Sequence, residues 1–154
     1  IQCIKYEKLN DEFSTDIFTE NALRGKLGIN AIESAKSLYD LVVLDSMGTE
    51  KNFAESLEHE DDVVVYTKLP RGFYINTPMG KYNPDWAVAF REGSVKHVYF
   101  IAETKGTDDL PSDLRGAEKG KIECARRHFA AISENDVVFD VVSNYQALYN
   151  VVTK

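Results

Sequence analysis

The sequence predicts an α/β fold in which helices flank a central mixed sheet, with the core order α-β-β-β-α-β. Three observations carry that expectation. Residues 83–90 and 97–105 are two runs rich in β-branched and aromatic side chains, parted by Gly93-Ser94, which is the pattern of a β-hairpin. Residues 112–131 carry apolar side chains at helical spacing and lead into an apolar run at 137–142, so a crossover helix sets that last strand parallel to the second hairpin strand. Residues 49–60 carry another helical stripe just before the first strand of the sheet.

Residues 3–9 alternate, Ile4 and Tyr6 against Lys5 and Glu7, as in a strand. Residues 14–23 are acidic and weakly helical, with Phe13, Ile17 and Phe18 on one side. Residues 29–43 read as a helix, because Ile32, Ala35, Leu38, Tyr39 and Val42 recur at three- and four-residue spacing. Residues 1–45 are thus expected to form an N-terminal extension packed on the core, and 46–154 the domain itself, a single globular unit. In the helix at 49–60, Thr49 is the expected N-cap and Phe53, Ala54 and Leu57 form the inward stripe. Glu50, in the first turn where the dipole favours an anion, faces the same way; Glu55 lies off the stripe.

Asp61-Asp62 ends that helix, residues 63–66 form a short buried strand, and Leu69-Pro70-Arg71-Gly72 is a turn. Residues 73–75 are another strand, followed by a turn at Thr77-Pro78-Met79-Gly80. Pro84 forces Asn83 out of the helical region and so fixes the approach of Asp85 to its strand. After Lys105-Gly106 comes a polar loop, then the long helix, whose apolar face is Leu114, Ala117, Ile122, Ala125, Phe129 and Ile132, flanked by Lys121 and His128. Residues 137–142 are a buried strand and 145–152 a terminal helix.

The chain has 154 residues, 44% hydrophobic and 28% charged, which suits one globular domain with a single core rather than a disordered chain. No apolar run approaches the roughly 18 residues of a membrane span, and no signal peptide is visible, so no membrane partner and a cytoplasmic location are expected. Cys3 and Cys124 are too few for a disulfide framework or a zinc site, which fits a reducing compartment, and Cys124 reads as a small buried hydrophobe. The chain starts at Ile1 rather than Met and is read as a fragment of a longer protein. A net charge of −7 argues against strong autonomous binding to nucleic acid. The acidic excess is confined to the front: residues 1–62 hold 6 basic and 14 acidic side chains, residues 63–154 hold 12 and 11.

The hairpin makes a geometric claim. With its turn centred on Ser94, opposed residues have numbers summing to 188, and Asp85 falls opposite Glu103 on one face, with Lys105 two residues further along the same face. A shift of one residue would send the two carboxylates to opposite faces. Adjacent carboxylates repel and raise one another's pKa unless a cation lies between them. Carboxylate oxygens, a backbone carbonyl and waters suit Mg2+, and a lysine beside such an ion orients or deprotonates a water or stabilises charge developing at phosphorus. That combination is phosphodiester hydrolysis chemistry.

Pro84-Asp85 followed by Glu103-Thr104-Lys105 resembles the PD-(D/E)xK nuclease motif. With Lys68-Leu69-Pro70, the run from Thr77 to Trp86, the run from Phe100 to Gly106 and the run from Lys121 to Phe129, the chain resembles the C-terminal endonuclease domain of the restriction subunit of type III restriction–modification enzymes. The resemblance covers about residues 46–144 and implies a restriction-endonuclease-like core acting on double-stranded DNA. It implies that Asp85, Glu103 and the Thr104 carbonyl hold Mg2+, for which Mn2+ substitutes, that Lys105 is catalytic, and that an acidic residue on the preceding helix assists; Glu50 takes that role, with Glu55 second. Glu50 as a plain helix-start carboxylate is the alternative. The partners implied are the helicase/ATPase region of the same full-length chain, which alone would need ATP, and a DNA-methylating modification subunit.

Arg115, Lys119, Lys121, Arg126, Arg127 and His128 make the long helix the most basic stretch. Arg115, Lys119 and Lys121, with Lys81, are the candidates for contact with the DNA backbone; an ordinary charged helix face and a solvated loop are the alternatives. His128 reads as a packed or hydrogen-bonded histidine. Gly116 to Ile122 imitates a phosphate loop but lacks the spacing and the Ser/Thr after lysine. Two rival functions stand beside the main one: a repair nuclease or resolvase of the same superfold, and a non-catalytic docking domain in which Asp85, Glu103 and Lys105 are a cross-strand ion pair.

Overall fold

The computed structural model describes residues 5–7, 15–18, 25–97, 99–105, 116–133 and 137–154. The elements are β1 (Ala31–Glu33), β2 (Leu41–Val43), α1 (Thr49–His59), β3 (Val63–Lys68), β4 (Ile75–Thr77), β5 (Gly80–Tyr82), β6 (Trp86–Phe90), β7 (Tyr99–Thr104), α2 (Gly116–Ile132), β8 (Val137–Val142) and α3 (Tyr145–Val152), with one 3-10 turn at Thr15–Phe18. The central sheet has the order β3-β6-β7-β8. β6 pairs antiparallel with β3 and β7, and β8 joins β7 in parallel, so the sheet is mixed as expected. Along the core the order is α1-β3-β6-β7-α2-β8, with the β4–β5 hairpin inserted beside it.

Side-chain alternation divides this sheet into two faces. Trp86, Val88, Phe90, Phe100 and Ala102 pack with Phe53, Ala54 and Leu57 of α1 and Leu148 and Val152 of α3. Ile101 and Phe139 point the other way, onto Ile122, Ala125 and Phe129 of α2 and Ile75 and Tyr82 of the β4–β5 hairpin. Burying each such large apolar side chain contributes about 1.5–3 kcal/mol. Odd-numbered positions of β7 therefore look towards α2, and Glu103 is one of them. The β6–β7 register runs from Trp86↔Ala102 to Ala89↔Tyr99, each pair summing to 188 as expected.

The stretch 29–43 is not a helix. It is the β1–β2 hairpin, with Ile32 opposite Val42 on the core side. Its polar residues compete for the backbone: Ser37 N–H donates to Ser34 Oγ at 2.8 Å, and Ser34 N–H to the Asp40 carbonyl at 3.1 Å. Glu58 of α1 accepts from Ser34 Oγ at 2.6 Å and from Ala35 N–H at 2.8 Å, tying the turn to the helix. Ala35, Leu38 and Tyr39, three of the five residues of the expected apolar stripe, are exposed.

Smaller differences are local. Gly48, not Thr49, occupies the N-cap of α1, without a side-chain bond. β3 runs two residues further than expected, to Lys68, and Val64 in it is exposed. The strand expected at 73–75 is β4, displaced to Ile75–Thr77 by its pairing with β5. Of the strand expected at 3–9, residues 5–7 are described and are not in a strand. Of residues 14–23 the described part is the 3-10 turn. The loop after Lys105 and the first residues expected of the long helix lie outside the described residues. No described helix is long and apolar enough to cross a membrane.

Candidate active site

The site lies where β6 begins and β7 ends. Pro84 is fully buried and delivers Asp85 to the sheet. Asp85 N–H donates to the Ala102 carbonyl at 3.1 Å, and its own carbonyl accepts from Leu69 N–H at 2.7 Å, so its backbone is stitched between β7 and the end of β3. Its Oδ2 accepts two bonds from Thr104, from N–H at 2.8 Å and from Oγ1 at 2.9 Å. Trp86 Nε1–H donates to the same Thr104 Oγ1 at 3.3 Å. The carboxylate is thereby aimed by the core beneath it.

Glu103 is 7% exposed. Its Oε2 accepts from Tyr82 Oη at 2.8 Å, and its Oε1 lies 3.2 Å from Lys105 Nζ. Lys105 Nζ reaches past it to Glu118 Oε1 at 2.6 Å. On the other face, Glu50 is buried as its stripe position requires, while Glu55 is exposed and pairs with Lys51. Glu50 Oε2 accepts from Asp45 N–H at 2.7 Å and Ser46 N–H at 3.2 Å, and Lys68 Nζ lies 2.8 Å from it and 2.7 Å from Asp45 Oδ2.

The electrostatics follow from this crowding. Burial, then the charge of Asp85, pushes the Glu103 carboxyl up to about 7, against its bonds from Tyr82 and Lys105. Burial raises Asp85 as well, outweighing its Thr104 bonds, with the charge of Glu50 adding to the rise. Burial works against the Lys105 ammonium, but Glu118 and Glu103 more than offset it and hold its pKa above the usual value. Two carboxylates that disfavour their own charge are what a divalent cation relieves. Among the described residues no three Asp, Glu, His or Cys side chains form a metal cage. Two carboxylates completed by a backbone carbonyl and waters are a donor set that fits Mg2+ rather than a metal needing an all-protein cage.

A pH dependence follows. A carboxyl raised in the folded state binds its proton more tightly there than in the unfolded chain, so without divalent metal stability falls as pH rises from the usual glutamate range to about 7, then levels. The expected loss is about 1–3 kcal/mol, read by urea unfolding across that range, and saturating Mg2+ should flatten it. Asp45, lowered chiefly by its Lys68 bond, acts in the opposite sense and only below the usual aspartate range.

Lys81 and Lys121 are brought together: Lys121 Nζ donates to the Lys81 carbonyl at 3.2 Å, and Lys81 Nζ lies 3.7 Å from the Tyr74 ring centroid. Lys119 is exposed on α2, and Arg115 lies outside the described residues. Tyr82 is buried against Glu103 rather than turned to solvent. His128 packs edge-on against Tyr6 and Phe129, and Cys124 is fully buried. Two residues had no role assigned from the sequence: Lys68, present only within a resembling block and on a strand that runs two residues past its expected end, and Glu118, whose contact crosses the loop after Lys105. Residues 35–145 match the family described as an endonuclease domain. No curated protein matches the chain at a significant level.

Proposed function

The chain belongs to the endonuclease domain family, and from that premise we propose that it is the Mg2+-dependent cleavage module of a type III restriction enzyme, hydrolysing phosphodiester bonds of double-stranded DNA. The observation that carries this reading is the meeting of Asp85, Glu103 and Lys105 at one end of β6 and β7, two buried carboxylates of raised pKa beside an ammonium.

Asp85, Glu103 and the Thr104 carbonyl would hold Mg2+, which when bound neutralises phosphate charge and lowers the pKa of a water. Thr104 keeps Asp85 oriented through its N–H and hydroxyl. In the hydrolysis a water oxygen forms a bond to phosphorus, the bond to one sugar oxygen breaks, and that oxygen leaves with a proton. Lys105, beside Glu103, would orient or deprotonate the water or stabilise the negative charge developing on phosphorus. Glu50 supports the site through Lys68 and the backbone of Asp45 and Ser46. Lys81 and Lys121, with Lys119 and Arg115, are the proposed contacts to the phosphate backbone, which position a duplex without reading it. Sequence recognition would fall to the modification subunit, and ATP to the motor region of the full-length chain, in a cytoplasmic setting.

Titration calorimetry with Mg2+ and Mn2+ tests the reading together with nicking of supercoiled plasmid in Mn2+. Wild type should bind the cation, and Asp85→Ala should abolish binding and nicking alike. A wild type that binds neither cation, or an alanine variant that binds as well, would leave the carboxylates and lysine as a structural ion pair.

A further inference from the structure

We infer that Glu118 is a positioning residue for Lys105, an inference that rests on the hydrolytic reading above. The shorter of the two contacts made by the Lys105 ammonium is to this glutamate, 2.6 Å against 3.2 Å to Glu103. Lys105 follows the last residue of β7, and its N–H is pinned to the Val142 carbonyl at 3.1 Å. The backbone is fixed, but the four-carbon stem is not, and a lysine head is placed only by what it bonds.

Its two anchors are not equivalent. Glu103 already accepts from Tyr82, and it is one of the two carboxylates that would turn to a cation. Coordination of a cation by Glu103 would weaken its hold on the ammonium. Glu118 stands apart from that competition. It belongs to the first turn of α2, and α2 is seated on the sheet through Ile122, Ala125 and Phe129. It therefore remains to hold the lysine over the scissile phosphate when Glu103 is engaged. At 38% exposure its side chain lies at the rim, where an ion pair adds little to stability, so its contribution belongs to the rate.

The test uses the full chain, with wild type, Glu118→Gln and Glu118→Asp compared in single-turnover plasmid cleavage at saturating Mn2+ and DNA. Glu118→Gln should slow cleavage about tenfold with DNA and Mn2+ affinities within about twofold, the pattern of a misplaced catalytic group, and Glu118→Asp should restore part of the rate. A second readout needs no cleavage: the side-chain ammonium signal of Lys105 in 1H–15N spectra, identified by its loss in Lys105→Ala. It should be sharp in wild type and lost to solvent exchange in Glu118→Gln. A wild-type rate in Glu118→Gln, or an ammonium signal absent from wild type or unchanged by the substitution, overturns the assignment. If no variant cleaves, the hydrolytic reading is what fails, and the ammonium signal alone decides whether Glu118 holds the lysine.

Discussion

Replacing Lys105 by alanine is expected to slow phosphodiester cleavage about a thousandfold while leaving divalent-cation affinity undiminished. The size of the loss follows from where the ammonium sits. It is three-quarters buried between Glu103 and Glu118, so it would meet the negative charge developing on phosphorus with little water to screen it. The cation side of the prediction follows from the same contacts. Removing the ammonium takes a competing positive charge from Glu103 and adds none, so Asp85 and Glu103 should hold a divalent ion at least as tightly. Lys105→Arg is expected to recover little, because a planar guanidinium does not replace a compact point charge held from two sides. Single-turnover nicking of supercoiled plasmid beside Mn2+ calorimetry separates the two effects. An alanine variant that keeps more than about a tenth of the rate would remove Lys105 from the chemistry.

The hairpin that carries this lysine was legible because a strand has a period of two and its turn is marked by Gly93 and Ser94. Those two facts place Asp85 opposite Glu103, and the β6–β7 register agrees at each pair from Trp86↔Ala102 to Ala89↔Tyr99. β8 and α3 were equally readable, the one as an apolar run broken only by Asp140, the other as a terminal helix, which the structure shows capped by Asn144 accepting from Ala147 N–H at 2.9 Å. What failed was decided by contacts at long range. The apolar spacing of residues 29–43 suits a helix, yet Ser34 and Ala35 bond to Glu58, some twenty residues away, and the segment turns instead of coiling. The β4–β5 hairpin is three residues on each side, too short for a pattern. Glu118 looked like any acidic residue in a first helical turn, a place the dipole alone explains. Its meaning depends on Lys105 lying within 2.6 Å, which no local spacing encodes.

The largest expected change in stability comes from Trp86→Ala, a loss of about 3–5 kcal/mol. Trp86 is completely buried, with its ring 5.7 Å from that of Phe53 and 6.2 Å from that of Tyr66, and Lys68 Nζ 5.9 Å above it. It thus joins α1, β3 and β6 at a single point, and alanine would leave a void that three elements must close. A domain of this size is held by roughly 5–15 kcal/mol, so the variant should unfold at a much lower urea concentration. Trp86→Phe refines the point. It keeps most of the apolar volume but removes the N–H that reaches Thr104 Oγ1, the same hydroxyl that bonds Asp85 Oδ2. Its expected cost is about 1–2 kcal/mol, from the smaller ring and the lost bond together. If the tryptophan also aims the carboxylate, the phenylalanine variant should bind Mn2+ more weakly than its modest loss of stability requires. Full Mn2+ affinity in a stable Trp86→Phe protein would show that the Thr104 N–H orients Asp85 without help from the core, whereas reduced affinity would make the packing beneath β6 part of the metal site.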